Sequence, residues 1–247
     1  MQIMTVFNRK GGVGKTATAV NLAAAIGKRK RVLLVDLDPQ ASASCWLGHE
    51  GGAPGLFEVL AGDSKRVPIL PGVVAGVDLV PAYKRLELAD STLNLSQAIK
   101  HLRRAIDAIA GDYSAVLIDS PPSIGMLSVA ALGASDGVLA PVEASRFGLS
   151  GCLDVERAIE GVSGVTGRAL KLVGILPCRL TRSNHTDAVL SALRARYGRK
   201  VFKAEIRETV RVREAAVECV PVIDYAPNST AATDYRRAAS ELLKRMK

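Results

Sequence analysis

The sequence lacks the features that would build a metal cluster, a disulfide framework or a membrane span. No stretch reaches the roughly 18–20 uncharged apolar residues that a membrane helix needs. The first residues run directly into a strand-like segment, without the charged and apolar regions of a signal peptide. The four cysteines form no C-x-x-C pair and have no histidine cluster nearby, so we expect ordinary reduced thiols in a cytoplasmic protein. They are Cys45, Cys152, Cys178 and Cys219.

Positive charge is concentrated toward the end of the chain. Residues 1–167 carry 16 Lys/Arg and 16 Asp/Glu, whereas residues 168–247 carry 17 and 8, so the whole net charge of +9 lies in the last third. A concentrated positive field attracts polyanions, which are nucleic acids or acidic membrane surfaces. A basic face that only keeps the protein in solution is the alternative. The length suits one large domain, and we expect residues 1–247 to form it.

Short apolar, β-branched runs alternate with helical patterns along the chain. The runs are nearly continuous, which is typical of strands covered by helices on both faces. This order predicts an α/β fold with a doubly wound, mainly parallel β-sheet flanked by helices in three layers, αβα. Glycine- and proline-rich stretches at 51–55 and 62–76 are predicted to be loops. The predicted strands are 3–7, 31–36, 77–81, 114–119, 137–142 and 171–177, and the predicted helices are 16–27, 93–110, 149–162 and 187–197.

A last predicted helix, 233–247, carries an apolar stripe opposite basic residues. Such a helix lies on a membrane surface or packs on the domain. The stripe has alanines in its centre and lacks Trp and Phe, so packing on the domain is the favoured interpretation. Its members are Tyr235, Ala238, Ala239, Leu242, Leu243 and Met246.

The segment NRKGGVGKT, which begins at residue 8, lies between the first predicted strand and the first predicted helix. Because Gly11, Gly12 and Gly14 lack Cβ atoms, successive backbone N–H groups turn inward and form a nest for an anion. The N-terminus of the following helix adds free N–H groups and the positive end of its dipole. In a phosphate loop of this kind, Lys15 reaches the β- and γ-phosphates of a nucleotide and the Thr16 hydroxyl holds Mg²⁺.

Two other predicted strands end in carboxylates. Asp119 ends the run AVLID and precedes Ser-Pro-Pro, a stiff segment suited to a loop that senses the γ-phosphate. A nucleotide triphosphatase needs such an acidic residue for its metal at the end of a second strand. In VLLVDLDPQ, Asp36 and Asp38 lie two residues apart and share a face if the strand continues. Asp38 is better placed to orient a hydrolytic water, and Asp36 supports either the surroundings of the metal or the loop.

The phosphate loop departs from the G-x-x-x-x-G-K-[ST] pattern, because Arg9 replaces the first glycine and Lys10 follows it. Together with VDLDPQ and LIDSPPS, the motif RKGGVGKT resembles the deviant-Walker P-loop ATPases of the ParA/MinD family. The resemblance is closest to the ParA/Soj branch that partitions chromosomes and plasmids. It continues through APVEASRFGLSG at 140–151 and IRETVRVREA at 206–215. In the last motif the family commonly has a basic residue where this chain has Glu208.

The resemblance implies an ATP-dependent homodimer. Lys10 would reach across the dimer interface to the phosphates of the partner subunit, whereas Lys15 and Thr16 would bind phosphate and Mg²⁺ within the chain. Asp38 would position the attacking water, and Asp119 would contact the metal through water. The implied catalytic residues are Lys10, Lys15 and Asp38, the implied nucleotide-binding residues are Lys10, Gly11, Gly12, Val13, Gly14, Lys15, Thr16 and Ala17, and the implied metal-site residues are Thr16, Asp119 and, in support, Asp36.

The resemblance also implies non-specific DNA binding by the ATP-bound dimer at the nucleoid, with a ParB-like partner that stimulates slow hydrolysis. The late basic surplus agrees with DNA binding through phosphates. Each candidate arginine has the alternative role of an exposed helix residue or a partner of a helix dipole. No separate N-terminal helix-turn-helix domain is expected, because the loop begins at residue 8. The candidate DNA contacts are Arg211, Arg213, Arg236 and Arg237.

Two other functions compete with a partition ATPase. A MinD-like ATPase that cycles on a membrane is the main alternative, and the weak apolar stripe of the terminal helix argues against it. A metabolic or electron-transfer relative is the third hypothesis. Cluster chemistry needs cysteine thiolates at a dimer axis, and no cysteine follows the Asp119 motif closely.

Overall fold

A single seven-stranded sheet forms the centre of the molecule. The computed structural model describes residues 1–49, 55–145 and 148–246. The strands are β1 (Gln2–Val6), β2 (Val32–Asp36), β3 (Leu70–Val74), β4 (Val77–Val80), β5 (Ala115–Asp119), β6 (Gly137–Glu143) and β7 (Lys171–Cys178). They lie in the order β3-β4-β2-β5-β1-β6-β7, and all neighbouring pairs are parallel except β3 with β4. This mainly parallel sheet confirms the predicted fold class.

Eleven helices are described in these residue ranges. They are α1 (Lys15–Gly27), α2 (Ser42–Trp46), α3 (Leu56–Ala61), α4 (Ala89–Thr92), α5 (Leu95–Asp107), α6 (Met126–Ala134), α7 (Gly148–Thr166), α8 (Asn184–Tyr197), α9 (Val210–Val217), α10 (Val222–Tyr225) and α11 (Thr230–Arg245). Short 3-10 turns occupy Lys84–Leu88, Ala110–Asp112 and Gly198–Lys200.

The helices cover both faces of the sheet. On one face, α1 and α11 pack against alternate residues of the central strands, such as Met4 and Leu34. On the other face, α3, α5 and α6 pack against the intervening residues, such as Ile3 and Leu33, and α7 packs against β6 beside them. The three-layer αβα arrangement follows from strands whose two faces are both apolar.

The strand register brings the ends of three strands together. Asp119 at the end of β5 is aligned with Val6 at the end of β1 on one side and with Asp36 at the end of β2 on the other. The chain leaves every parallel strand at this carboxyl edge of the sheet. Ligands of open α/β sheets bind in the crevice at this edge, where strand order reverses.

Most sequence-predicted elements are present with small shifts at their ends. The predicted helix 233–247 corresponds to α11, and its apolar stripe packs on the domain as favoured. The predicted loop 62–76 is wrong in part, because Leu70–Val74 forms the antiparallel edge strand β3. Proline and glycine in this strand are tolerated at an edge, where one side of the backbone has no ladder to complete. The other predicted loop, 51–55, lies outside the described residues except for Gly55, as do positions 146 and 147 of the motif at 140–151.

Candidate active site

The loop between β1 and α1 has the backbone of an anion nest. Gly12 and Gly14 adopt φ angles of 75° and 94°, which side-chain-bearing residues rarely tolerate. Gly14 precedes the first residue of α1, and its carbonyl accepts from the backbone N–H of Thr18 at 2.8 Å. No side chain of the loop caps α1, so the N–H groups of its first turn remain available to an anion.

Asn8 fixes the start of this loop. Its side chain is buried, and Nδ2 donates to the carbonyl of Pro141 in β6 at 2.8 Å. Its Oδ1 accepts from the backbone N–H of Lys10 at 3.0 Å. Asn8 was not among the predicted site residues, although a polar residue directly after a predicted apolar strand is a usable signal. Asn8 therefore ties the phosphate loop to the neighbouring strand.

Lys15 lies inside the site. Its side chain is buried, and Nζ donates to the carbonyl of Lys10 at 3.2 Å, across the loop. Burial lowers the pKa of Lys15, and the carboxylates of Asp119 and Asp38 oppose that shift. An ammonium group that has lost much of its hydration gains strongly from an anionic ligand.

Lys10 instead lies at the exposed rim of the site, beside the carboxyl end of β6. Its Nζ lies 2.6 Å from Oε2 of Glu143 at the end of β6, and the two side chains are 42% and 26% exposed. The hydrogen bond from Lys10 lowers the pKa of Glu143. Exposed ion pairs of this kind contribute about 0–1 kcal/mol to the free energy of unfolding. Lys10 can therefore leave Glu143 for another anion at little cost in free energy. The predicted action of Lys10 on a partner subunit stays a prediction.

Arg9, the unusual first residue of the loop, makes a contact with α7. Its guanidinium lies 3.4 Å from Oδ1 of Asp154. The partners are separated by nearly 150 positions in the chain, so the sequence alone offered no account of this arginine. The ion pair connects the start of the phosphate loop to α7.

Asp119 has the environment expected of a metal-binding carboxylate. It is fully buried, and neither carboxylate oxygen has a hydrogen-bond partner among the described residues. Burial raises the pKa of Asp119 well above its usual range, and the nearby carboxylate of Asp36 raises it further, whereas Thr16 and Lys15 oppose the rise. Unsatisfied buried oxygens are costly unless a ligand engages them. The oxygens of Asp119, with the Thr16 hydroxyl nearby, fit a hard cation such as Mg²⁺.

Asp36 is held by the loop that follows it. Oδ2 accepts from the backbone N–H and the hydroxyl of Ser44 at 2.8 and 2.7 Å, and Oδ1 accepts from the backbone N–H of Asp38 at 3.2 Å. Burial raises the pKa of Asp36 to about 6, although these hydrogen bonds act in the opposite direction. Of the two predicted roles of Asp36, these contacts favour support of the loop.

Asp38 lines a cavity that it shares with Pro121 and Pro122, which follow β5. Its side chain is 8% exposed, and Oδ1 accepts from the backbone N–H of Gln40 at 3.0 Å. The cavity has a volume of about 280 Å³ and is also lined by Glu87 and Asp90. Asp38 is thus nearly buried and borders the cavity, and its catalytic role stays a prediction.

A basic groove runs along α11, away from the phosphate loop. It has a volume of about 940 Å³, and two of the four candidate arginines, Arg236 and Arg237, line it. The groove is floored in part by a bidentate pair in which Arg207 donates to the buried Asp234 at 2.9 and 2.7 Å. The cations of the basic groove are Lys203, Arg207, Arg236, Arg237 and Lys244.

The other two candidate arginines lie on α9, outside this groove. Arg211 is exposed and pairs with Glu214 at 2.8 Å, one turn further along the helix. Arg213 is exposed and has no ion pair or hydrogen bond from its guanidinium within the described ranges. The structure therefore divides the four arginines between two surfaces.

Comparison with known proteins identifies the family. The family described as "AAA domain" matches residues 1–172. The chromosome-partitioning ATPase Soj of Thermus thermophilus is 39% identical over 241 residues, which cover 97% of this chain and 94% of that protein. The chromosome partitioning protein ParA of Caulobacter vibrioides is 35% identical, with coverage of 99% and 95%. The sporulation initiation inhibitor protein Soj of Bacillus subtilis is 34% identical, with 98% of each chain covered.

The chain belongs to the ParA/MinD family of deviant-Walker P-loop ATPases. Solved structures support the fold: apo McdA of Cyanothece has a TM-score of 0.86 at 22% identity, with 100% of both chains covered. MinD of Pyrococcus furiosus has a TM-score of 0.77 at 24% identity, with 98% of both chains covered. A structure titled cobyrinic acid a,c-diamide synthase from Mycobacterium smegmatis, with bound ADP and magnesium, has a TM-score of 0.84 at 31% identity and covers 100% of this chain and 95% of that one.

The helices in the described residue ranges are all too short or too polar to span a bilayer. Among the described residues, no group of three or more His, Cys, Asp or Glu could hold a metal ion. A P-loop ATPase needs no such cage, because one or two protein oxygens and the nucleotide phosphates share its Mg²⁺ with water.

Proposed function

We propose that this chain is a ParA-type partition ATPase that switches between DNA-bound and DNA-free states. ATP binding drives formation of a face-to-face homodimer, the dimer binds DNA without sequence preference, and hydrolysis releases it. The observation that carries the proposal is the near full-length similarity to relatives named chromosome-partitioning proteins.

The proposed ligands are ATP and Mg²⁺, with ADP as the product. Neighbouring structures are titled with bound ADP, an ATP analogue and magnesium. The backbone of residues 10–17 would hold the phosphates, with the Lys15 ammonium among them. Thr16 directly and Asp119 through water would hold Mg²⁺, which supplies charge neutralisation at the β- and γ-phosphate oxygens when bound. The two unpartnered carboxylate oxygens of Asp119 support this assignment.

Hydrolysis needs a positioned water and added positive charge. We assign the first task to Asp38, which borders the cavity that it shares with Pro121 and Pro122. The second task falls to Lys10 of a partner subunit, which requires that Lys10 leave Glu143. If Lys10 leaves Glu143 only in the dimer, the isolated chain hydrolyses ATP slowly. A ParB-like partner would accelerate hydrolysis.

DNA binding is assigned first to the basic groove along α11. Its five cations include Arg236 and Arg237, and the last third of the chain carries the whole net charge of +9. The lining also holds Glu205, Asp234 and Glu241, which leaves an excess of two positive charges. Lysine and arginine bind phosphates by releasing counterions, without reading bases. Non-specific binding of this kind would place the ATP-bound dimer on the nucleoid in the cytoplasm.

The membrane-cycling and metabolic alternatives receive less support. The apolar face of α11 is packed against the domain, with Ala238 and Leu242 fully buried, and is not presented to a bilayer. The neighbour titled as a diamide synthase favours a small-molecule enzyme. However, the relatives named chromosome-partitioning proteins are 39% and 35% identical to this chain, against 31% for that neighbour.

The deciding experiment is DNA retardation with ADP, with ATP, and with ATP plus the Asp38→Ala variant. We expect retardation with ATP and not with ADP, and persistent retardation by Asp38→Ala because hydrolysis no longer releases DNA. Affinity should fall steeply as salt rises. Equal binding with ADP and ATP, or none with either, would overturn the proposal. Sedimentation with anionic vesicles in ATP, stronger than DNA retardation, would favour the membrane-cycling function instead.

A further inference from the structure

Arg179 follows directly after β7 and has an unusual backbone. Its φ angle of 54° lies in the left-handed region, where only three non-glycine residues are found within the described ranges. Residues other than Gly, Asn and Asp occupy this region at an energetic cost. Backbone strain of this kind is typical of residues whose side chains serve a functional site.

The side chain of Arg179 reaches the phosphate loop. Its Nη1 donates to the carbonyl of Gly12 at 3.1 Å, across 167 positions of sequence. Its Nη2 donates to Oε1 of Glu208 at 3.2 Å, and Nη1 lies 3.9 Å from Oε1 of Glu143. The guanidinium is therefore held between two carboxylates and one carbonyl of the phosphate loop.

Glu208 is itself fixed in place. Its backbone N–H donates to the carbonyl of Leu180 at 2.9 Å, and the N–H of Leu180 donates to the carbonyl of Ile206 at 3.1 Å. This short parallel bridge between Leu180 and Arg207 holds Glu208 beside Arg179. The contact with Arg179 gives the acidic side chain of Glu208 a cationic partner.

The contact with Gly12 sets the direction of one amide in the nest. The peptide unit that joins Gly12 and Val13 is planar and trans, so its carbonyl and its N–H point in opposite directions. Because Arg179 holds the carbonyl toward the rim, the N–H of Val13 is turned away from Arg179. We propose that Arg179 is a positioning residue of the phosphate loop, which aims the Val13 amide at a bound phosphate; this rests on the nucleotide binding proposed above.

The test measures nucleotide affinity and thermal stability separately, with a fluorescent ATP analogue and Mg²⁺. Arg179→Ala should bind the analogue roughly tenfold more weakly, the loss expected for one charge-assisted hydrogen bond that orients the site. Arg179→Gly should show the same loss of affinity, yet melt about 2–4 °C higher than Arg179→Ala because glycine relieves the left-handed strain. Arg179→Lys, which keeps one donor, should recover part of the affinity.

Two controls separate positioning from a general effect of charge or folding. Arg199→Ala removes an equal charge from the exposed turn after α8 and should leave affinity unchanged. In the reversed pair Arg179→Glu/Glu208→Arg, an ion pair can form again while the acidic side chain at 179 has no donor for the Gly12 carbonyl. Stability should recover in this variant and affinity should not.

Two results would overturn the assignment. Wild-type affinity in both Arg179→Ala and Arg179→Gly would show that the Gly12 carbonyl needs no support. Recovery of affinity in the reversed pair would assign the effect to the ion pair alone. If the unaltered chain does not bind the analogue, nucleotide binding itself fails, and the assignment fails with it for that distinct reason.

Discussion

At the scale of single residues, buried carboxylates dominate the chemistry of the site. Asp36 and Asp119 face each other in the strand register and are fully buried. Asp36 is compensated by three hydrogen bonds, whereas both oxygens of Asp119 have none in the described residues. The same sheet edge therefore holds one carboxylate that stabilises a loop and one that remains ready for a ligand.

This pair predicts a pH-dependent stability of the nucleotide-free protein. The pKa of Asp36 is raised from 3.8 to about 6, and the pKa of Asp119 is raised in the same direction. The folded chain thus binds more protons than the unfolded chain, so the stability present below pH 4 is lost as pH rises through the folded pKa values. Asp119→Asn should flatten this dependence and raise the free energy of unfolding at pH 7 by about 1–3 kcal/mol.

Urea denaturation at pH 4, 5, 6 and 7, without nucleotide or metal, measures this effect. Asp63→Asn, at an exposed position, is the matched control and should follow the wild type. An Asp119→Asn variant that is less stable than the wild type at pH 7 would contradict the account, because it would show that the buried charge is already compensated.

Which residues the sequence could identify depended on how local their partners are. The positions of Lys15 and Thr16 at the start of α1 were predictable because the strand, loop and helix that place them are contiguous in the chain. Glu143 and Asp154 were missed as partners of Lys10 and Arg9, because those contacts join positions more than 130 residues apart. Folding decides such partners, and no spacing in the sequence encodes them.

At the scale of elements, α11 combines a buried face with a basic face. Leu242 and Ala238 are fully buried in the core formed with α1, and Arg236 and Arg237 line the basic groove on the outside. Ser229 caps the helix by accepting from the backbone N–H of Ala232 at 3.2 Å. The helix is therefore fixed by packing, while its outer face stays available to a polyanion.

Truncation of the buried face should destabilise the whole fold. Leu242→Ala leaves a cavity in a fully buried position, and we expect a loss of about 2–5 kcal/mol in the free energy of unfolding. Leu243→Ala is the matched control, because the neighbouring leucine is only partly buried and should cost much less. Chemical denaturation distinguishes the two. Equal, small losses would indicate that α11 is loosely packed.

Charge reversal should separate the two arginine surfaces. In ATP, Arg236→Glu/Arg237→Glu should weaken DNA binding on all sequences and lower the slope of log affinity against log salt by about 2. Arg211→Glu/Arg213→Glu should have the smaller effect, since Arg211 is already paired with Glu214 outside the groove.

The control for this comparison is Arg104→Glu on α5, an exposed arginine in the opposite helical layer. It should leave DNA affinity unchanged. The retardation titration is repeated at several salt concentrations for each variant. A larger loss from the α9 pair than from the α11 pair would move the DNA-binding surface to α9.

Element prediction succeeded where the pattern was regular and failed where the tertiary context decided. The buried strands β2 and β5 were predictable as continuous apolar runs. The edge strand β3 was missed because Pro and Gly in Leu70–Val74 favour a loop, and only pairing with β4 makes it a strand. Helix α6, Met126–Ala134, was also missed, because its sequence is apolar nearly throughout and shows no helical period.

At the scale of the whole molecule, the sheet order gathers residues from five strands at one edge. The phosphate loop follows β1, Asp38 follows β2, and Asp119 ends β5, while Glu143 ends β6 and Arg179 follows β7. All of these groups meet at the carboxyl edge, and the long cation Lys10 lies at its rim. A second copy that approaches this rim could receive Lys10 directly.

Subunit mixing tests whether Lys10 acts on the nucleotide of another subunit. Lys10→Ala should bind nucleotide and hydrolyse almost none, and Asp38→Ala should do the same. In a mixed dimer, the nucleotide held by the Lys10→Ala subunit faces that subunit's own Asp38 and the intact Lys10 of the other copy. We therefore expect mixing to restore up to about a quarter of wild-type ATPase activity, since half of the dimers are mixed and each has one complete site.

The same mixture excludes the competing arrangement. If Lys10 acted on the nucleotide of its own subunit, one site of the mixed dimer would lack Lys10 and the other Asp38, so mixing would restore nothing. Lys15→Ala mixed with Asp38→Ala is the control, because Lys15 is buried in its own loop and its loss cannot be supplied by a partner. Recovery of ATPase activity in that control would show that mixing restores activity for a reason unrelated to Lys10, and the assignment of Lys10 to the partner's nucleotide would fail.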